Sequence, residues 1–185
     1  MLQLKPDPLE GTAIGDVTPS TSQATAAPFI GPWIFLFPAT YLVHIAEEYW
    51  GGFPTRTAEL TGLAIPEAAF LAANVFFWIL MLAAVMATLY QPSRAPLVIT
   101  LATVITVNAT LHVGGALLTA SYSPGLVSGL LLWLPLGVSA LVRGFRAVPE
   151  RGFRHGVLVG VLVHVLVPLV GLGFVVALGG GWREA

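Results

Sequence analysis

The sequence predicts an all-α protein, a polytopic transmembrane helical bundle of about five spans with its N-terminus in the cytoplasm. Composition and segmentation carry this expectation. Of 185 residues, 56% are hydrophobic and only 9% are charged, and the mean hydropathy is +0.86. Soluble domains carry about 25% charged residues. So few charges cannot build a water-facing surface, whereas a lipid bilayer tolerates them as solvent. The apolar residues also gather into five runs, each near the ~20 residues that cross about 30 Å of hydrocarbon. In lipid every backbone polar group must be paired within its own segment, so these runs are helices and not open strands.

Taken in order, residues 1–27 are polar and include Pro6, Asp7, Pro8, Glu10 and Asp16. They lack the basic start and apolar core of a signal sequence and are expected to form a disordered tail. Residues 28–180 then make one five-span domain. The runs are 29–49, Glu67–Tyr90, 95–120, 124–142 and 156–178. Pro32, Pro38, Pro135 and Pro168 are expected kink points, which membrane helices tolerate better than soluble ones. The link 50–66 is broken by Gly51, Gly52, Pro54 and Gly62 and is too polar to span. It is expected to lie over the bundle as a lid or re-entrant turn. The remaining links are short, which favours antiparallel neighbours. No internal repeat of the inverted-repeat transporter kind is visible.

Charge sets the orientation. The N-terminal tail and the second and fourth links hold Lys5, Arg94, Arg143, Arg146, Arg151 and Arg154, against only Arg56 and Arg183 on the other side. Basic residues favour the cytoplasmic face, so the expected location is the cell (inner) membrane, multi-pass, with the C-terminus outside. A formal net charge of −1 argues against nucleic acid as a partner, because phosphate binding needs clustered cations. Cysteine is absent, which excludes disulfides and thiolate metal sites. The expected partners are the bilayer and a lipophilic small molecule. Oligomeric state is not legible.

Ionisable side chains inside a span cost about 2.5–3.5 kcal/mol at mid-helix for Asp, Lys or Arg, and they usually mark function. His44, Glu47 and Glu48 fall in the first run, Asn74 in the second, Asn108 and His112 in the third and His164 in the fifth. The i, i+3, i+4 spacing of His44, Glu47 and Glu48 puts them on one helix face with Tyr41 a turn earlier, and Asn108 and His112 share a face at i, i+4. Measured along the helices at 1.5 Å per residue, His44 lies about 22 Å into the first run and Asn108 and His112 about 20–26 Å into the third. Both runs start on the same side, so these groups sit at one depth, in the outer half of the bilayer, and can converge. Asn74 and Asn108 suit hydrogen bonding between helices equally well, and a lone His164 suits packing.

Two adjacent carboxylates in low dielectric repel, so one takes up a proton or a cation neutralises them. That cation is a metal, a protonated His, or Arg56 reaching back from the link. His44, Glu47, Glu48 and His112 together supply enough nitrogen and oxygen for a divalent Fe, Mn or Zn ion. The metal-free alternative is acid–base catalysis by a Glu–His pair on an apolar substrate, with Trp33, Trp50, Phe76, Phe77 and Trp78 as candidate pocket walls. The non-enzymatic alternative is a small transporter or a lipid- or ligand-binding protein built on the same polar cluster.

The segment His44-Ile-Ala-Glu47-Glu48 resembles the signature of the HXXEE-motif family of uncharacterised bacterial membrane proteins. The likeness extends to Asn108-x-x-x-His112, to Gly114-Gly115 and to Tyr122-Ser123-Pro124-Gly125-Leu126, and covers about residues 30–140. The resemblance implies His44, Glu47, Glu48, Asn108 and His112 as the family's characteristic positions, and the same five are the candidate catalytic residues of a membrane-embedded enzyme. It supplies neither substrate nor reaction.

Overall fold

The computed structural model describes residues 29–182. The expected 1–27 tail, and Arg183, lie outside the described residues. The architecture is an all-α bundle. Helix α1 spans Leu36–Trp50, α2 Phe53–Thr61, α3 Glu67–Tyr90, α4 Pro96–Thr119, α5 Leu126–Ser128, α6 Leu134–Ala147 and α7 Glu150–Ala177. Two short strands, β1 (Leu63–Ala64) and β2 (Gly181–Trp182), pair antiparallel. Among the described residues four helices are long and apolar enough to cross a membrane: Glu67–Tyr90, Pro92–Thr119, Leu126–Ala147 and Glu150–Ala177. Helix α1 has 15 residues, about 22 Å. The 3₁₀ turn Pro32–Phe35 that feeds it adds about 8 Å at ~2 Å per residue, so the two together approach the thickness of the hydrocarbon layer.

The prolines do different things. Pro32 opens the 3₁₀ turn, and Pro38 falls in the first turn of α1, where its missing N–H costs nothing. Pro135 follows a π-helical turn, Gly129–Trp133. The wider i→i+5 turn accommodates a residue that lacks an N–H and crowds the carbonyl four positions back. Only Pro168 sits well inside a helix, α7.

Helix α4 is the axis of the bundle and is buried around most of its first half, at Val98, Ile99, Leu101, Ala102 and Ile105. Small residues let α7 lie directly against it. A Cβ built on Gly156 would stand 2.7 Å from the Pro96 carbonyl oxygen, and one on Gly160 would stand 2.6 Å from Thr103 Cβ. Thr100 donates its hydroxyl to the Gly156 carbonyl across this interface at 3.1 Å. Close backbones joined by a hydroxyl are the packing expected where lipid gives no hydrophobic drive for helix association. Helix α1 is tied to α3 by Tyr41 Oη donating to Asn74 Oδ1 at 3.0 Å and by Trp78 Nε1 donating to the Pro38 carbonyl at 3.0 Å. Asn74 therefore serves as helix–helix glue.

The link 50–66 is more ordered than a polar loop. It folds into α2 and β1, with α2 bounded by Gly52 and Gly62 in left-handed conformation, which glycine adopts without a Cβ penalty. Its Arg56 does not reach the carboxylates of α1. It donates to Ser121 Oγ at 2.7 Å and faces Glu59 at 3.4 Å. The β1–β2 pairing and the Arg56–Ser121 bond gather link 51–66, loop 120–125 and the 181–182 strand at one end of the bundle. Arg94, Arg143, Arg146, Arg151 and Arg154 belong to the helix ends of the opposite pole. There the Arg143 guanidinium lies 4.7 Å from the Trp33 ring centre, a cation–π distance.

Candidate functional site

Three of the expected site residues converge. His44 and Glu48, one turn apart on α1, meet His112 of α4, and the three offer ligand atoms all within 4.8 Å of one another. His44 is 2% exposed, Glu48 7% and His112 8%, so charge here is removed from water. Glu48 Oε1 stands 3.5 Å from His44 Nε2 and 3.3 Å from His112 Nε2. The far nitrogens of both rings are held by serines: His44 Nδ1 meets Ser128 Oγ at 2.8 Å, and His112 Nδ1 meets Ser123 Oγ at 3.2 Å. The His44 ring stacks on Trp133 with centres 3.7 Å apart, and Tyr41 stacks on the same indole. The two imidazoles meet edge to face.

Glu47 points elsewhere. Its Oε1 accepts from Tyr122 Oη at 2.7 Å and from the Val127 N–H at 2.8 Å, and its Oε2 accepts from the Ser128 N–H at 2.6 Å. The first N–H groups of a helix have no partner of their own. Gly125, at the cap position, has no side chain to offer. Glu47 therefore caps the helix that begins at Leu126, reaching across from α1 with a negative charge at the positive end of the helix dipole. The loop before that helix closes over the histidines. Gly125 has φ of +93°, and a Cβ there would stand 2.8 Å from Cε1 of both His44 and His112. Only glycine meets both the conformational and the steric demand.

Asn108 lies one turn before His112. Its Oδ1 is buried without a hydrogen-bond partner among the described residues, which is uncommon enough to call for an explanation. His164 is half-buried on α7 and is not one of the three converging groups. Trp133, Ser123, Ser128 and Tyr122 escaped the sequence reading as site residues. For Tyr122, Ser123 and Ser128 the signal was faint, hydroxyls following His112 inside an otherwise apolar stretch.

The loop phenol gives a direct readout of the Glu47 contact. Burial and the Glu47 carboxylate push Tyr122 up to about 12. Its folded value lies above the ordinary one near 10, so the contact stabilises the fold fully below that ordinary value and is lost as pH rises through the folded one. Ultraviolet titration of the wild type against Tyr122→Phe is expected to show that the missing phenol ionises well above the ordinary value near 10. A Tyr122 that ionised at the ordinary value near 10 would contradict the contact.

A helical bundle with apolar helices of membrane-spanning length and a buried His–Glu–His cluster at one end defines a membrane protein with a polar site walled off from water. Residues 35–140 match the family described as a protein of unknown function with HXXEE motif. The chain belongs to that family. No curated protein and no solved structure matches it.

Proposed function

We propose that the protein is a membrane-embedded enzyme whose His44, Glu48 and His112 act on a lipophilic small molecule, with Asn108 beside them and Glu47 holding the loop that closes the site. The observation that carries this reading is the burial of a carboxylate between two inward-facing imidazole nitrogens. A merely structural cluster gains little from such an arrangement, since apolar residues of similar volume are often as stable or more so. Intramembrane ionisable groups most often mark a working site. The walls are aromatic and apolar, through Trp133 and Tyr41, which suits a lipid-soluble substrate better than a charged metabolite.

In this reading the chain is a multi-pass protein of the cell (inner) membrane with five spans, α1 being the first. The clasp of β1 with β2 supports an even number of crossings between residues 64 and 181, and the Arg56–Ser121 bond supports two crossings between residues 56 and 121. The five arginines at the far pole favour a cytoplasmic location for that pole. The site then lies on the outer-leaflet side, beneath the loop that closes it. A reporter fused after Ala185 is expected to be active outside the cytoplasm.

The test of function is a comparison of lipid extracts from cells lacking the chain, cells expressing it and cells expressing His112→Ala, by untargeted mass spectrometry. The expected result is a lipophilic species whose level changes with the wild type and not with the variant. Identical profiles in all three, with an unaltered lipid copurifying with both proteins, would replace the enzyme with a ligand-binding protein.

A further inference from the structure

We propose that His44 Nε2, His112 Nε2 and one oxygen of Glu48 bind a zinc-type divalent cation tetrahedrally, leaving the fourth position for an exchangeable ligand, with Ser128 and Ser123 as positioning residues for the two histidines. The proposal deepens the reading of this cluster as the working site and rests on it. It narrows the donor set from four side chains to three, because both oxygens of Glu47 are occupied by Tyr122, Val127 and Ser128.

Four observations converge. First, each imidazole has its Nδ1 at a serine hydroxyl. A serine oxygen that accepts from Nδ1–H leaves the neutral ring with its lone pair on Nε2, aimed inward. Metal-binding histidines are held in this way, with the outer N–H on an oxygen acceptor. Second, His44 Nε2 is fully buried and has no hydrogen-bond partner among the described residues. A lone pair shut off from water and left unpaired is costly, and a cation satisfies it.

Third, the spacing fits coordination better than direct pairing. Charge-assisted N–H···O bonds run about 2.7–2.9 Å, whereas the two Nε2–Oε1 distances are 3.5 and 3.3 Å. At bonds of ~2.0–2.1 Å, tetrahedral ligand atoms lie about 3.3–3.4 Å apart and octahedral neighbours about 2.8–3.0 Å apart. The two carboxylate–imidazole spacings lie at or just above the tetrahedral edge and well above the octahedral one, and all three ligand atoms lie within 4.8 Å of one another, a span that bond formation to the ion draws in. Fourth, a carboxylate this buried needs a positive charge beside it, and the nearest guanidinium on the adjoining link, Arg56, is engaged with Ser121 and Glu59. Two His and one Glu with an open fourth position is a donor set of catalytic zinc. Such an ion supplies a Lewis acid or an activated water, while Glu48 and the serine-held rings fix its place.

The experiment uses the full chain, purified in detergent through a tag free of histidine, from cells grown with added zinc. Elemental analysis is expected to find about one zinc per chain in the wild type and background levels in His44→Ala, Glu48→Gln and His112→Ala. Ser128→Ala is expected to stay folded, by helical circular dichroism, and to bind zinc about 10–100-fold more weakly. After chelation, Co²⁺ added to the wild type is expected to give the intense visible bands of a tetrahedral site. A wild type without bound transition metal, metal retained in the three ligand variants, or a pale octahedral Co²⁺ spectrum would each overturn the proposal. The enzyme reading fails separately. A metal-free wild type whose lipid signature still disappears in Glu48→Gln removes the metal and leaves the enzyme. Zinc lost from the ligand variants with lipid profiles unchanged removes the enzyme and leaves the metal.

Discussion

Glu48→Gln is expected to abolish function with the fold intact, and Glu47→Gln to weaken the fold. The two carboxylates are adjacent in sequence, yet their surroundings separate them. Glu48 is 7% exposed and faces the imidazole nitrogens of His44 and His112. With both rings neutral, its amide analogue keeps the volume and strands no partner charge, whereas a stranded buried imidazolium would cost about 3–5 kcal/mol. Chemistry that depends on the carboxylate falls by about 100-fold or more, the range typical for a lost acid–base group. Glu47 accepts two backbone N–H groups and a phenol. A glutamine offers one acceptor oxygen and sets an NH₂ group against a donor, so a helix cap is lost at a cost of about 1–2 kcal/mol. Thermal unfolding in detergent, run beside the lipid assay, separates the two effects. If Glu48→Gln melted lower than Glu47→Gln, the division of labour would be reversed.

Gly160→Leu is expected to damage the α4–α7 interface severely. Even a Cβ at position 160 meets Thr103 Cβ at 2.6 Å and the Thr100 carbonyl at 2.9 Å. The carbonyl belongs to the backbone of α4 and has no rotamer through which to retreat. Overpacking of this kind costs about 1–3 kcal/mol, and more when the backbone must move. It also separates Thr100 from its acceptor on Gly156. Gly171 and Gly173 lie on the same helix with nothing near their Cβ positions. Gly171→Ala is therefore expected to hold or raise stability through helix propensity, worth about 1 kcal/mol. Equal melting temperatures for Gly160→Leu and Gly171→Ala would show that the helices do not approach this closely.

The bundle was largely legible because lipid forces apolar runs into helices. The run Glu67–Tyr90 coincides with α3, framed by Pro66 and the Gln91-Pro92 break, and 95–120 differs from α4 by one residue at each end. Helix α7 begins at Glu150, six residues before the apolar run, because Arg151 and Arg154 extend the helix beyond the hydrophobic stretch while Arg154 faces Glu150 at 3.7 Å. Helix α2 was missed because its nine residues are polar and bracketed by glycines, a pattern shared with loops. At the site, helical phase identified the face carrying His44, Glu47 and Glu48. It could not divide that face, since i+3 and i+4 point only about 100° apart. Which glutamate meets His112 and which caps α5 depends on a neighbour some 80 residues away. Trp133 was hidden for another reason. The left-handed Gly125 and the π turn at Gly129–Trp133 reset the phase of the fourth run, so no period counted from upstream residues puts that indole against His44.

The clasp between β1 and β2 bears on how the protein is made. Leu63–Ala64 emerges from the ribosome early, whereas its partner Gly181–Trp182 follows only after the four long apolar helices have been synthesised. The end of the bundle that shelters His44 and His112 therefore waits, half assembled, through most of translation and insertion. In the proposed five-span topology the clasp closes only when an even number of the intervening helices have crossed, since a single missed crossing would leave the two strands on opposite sides of the bilayer.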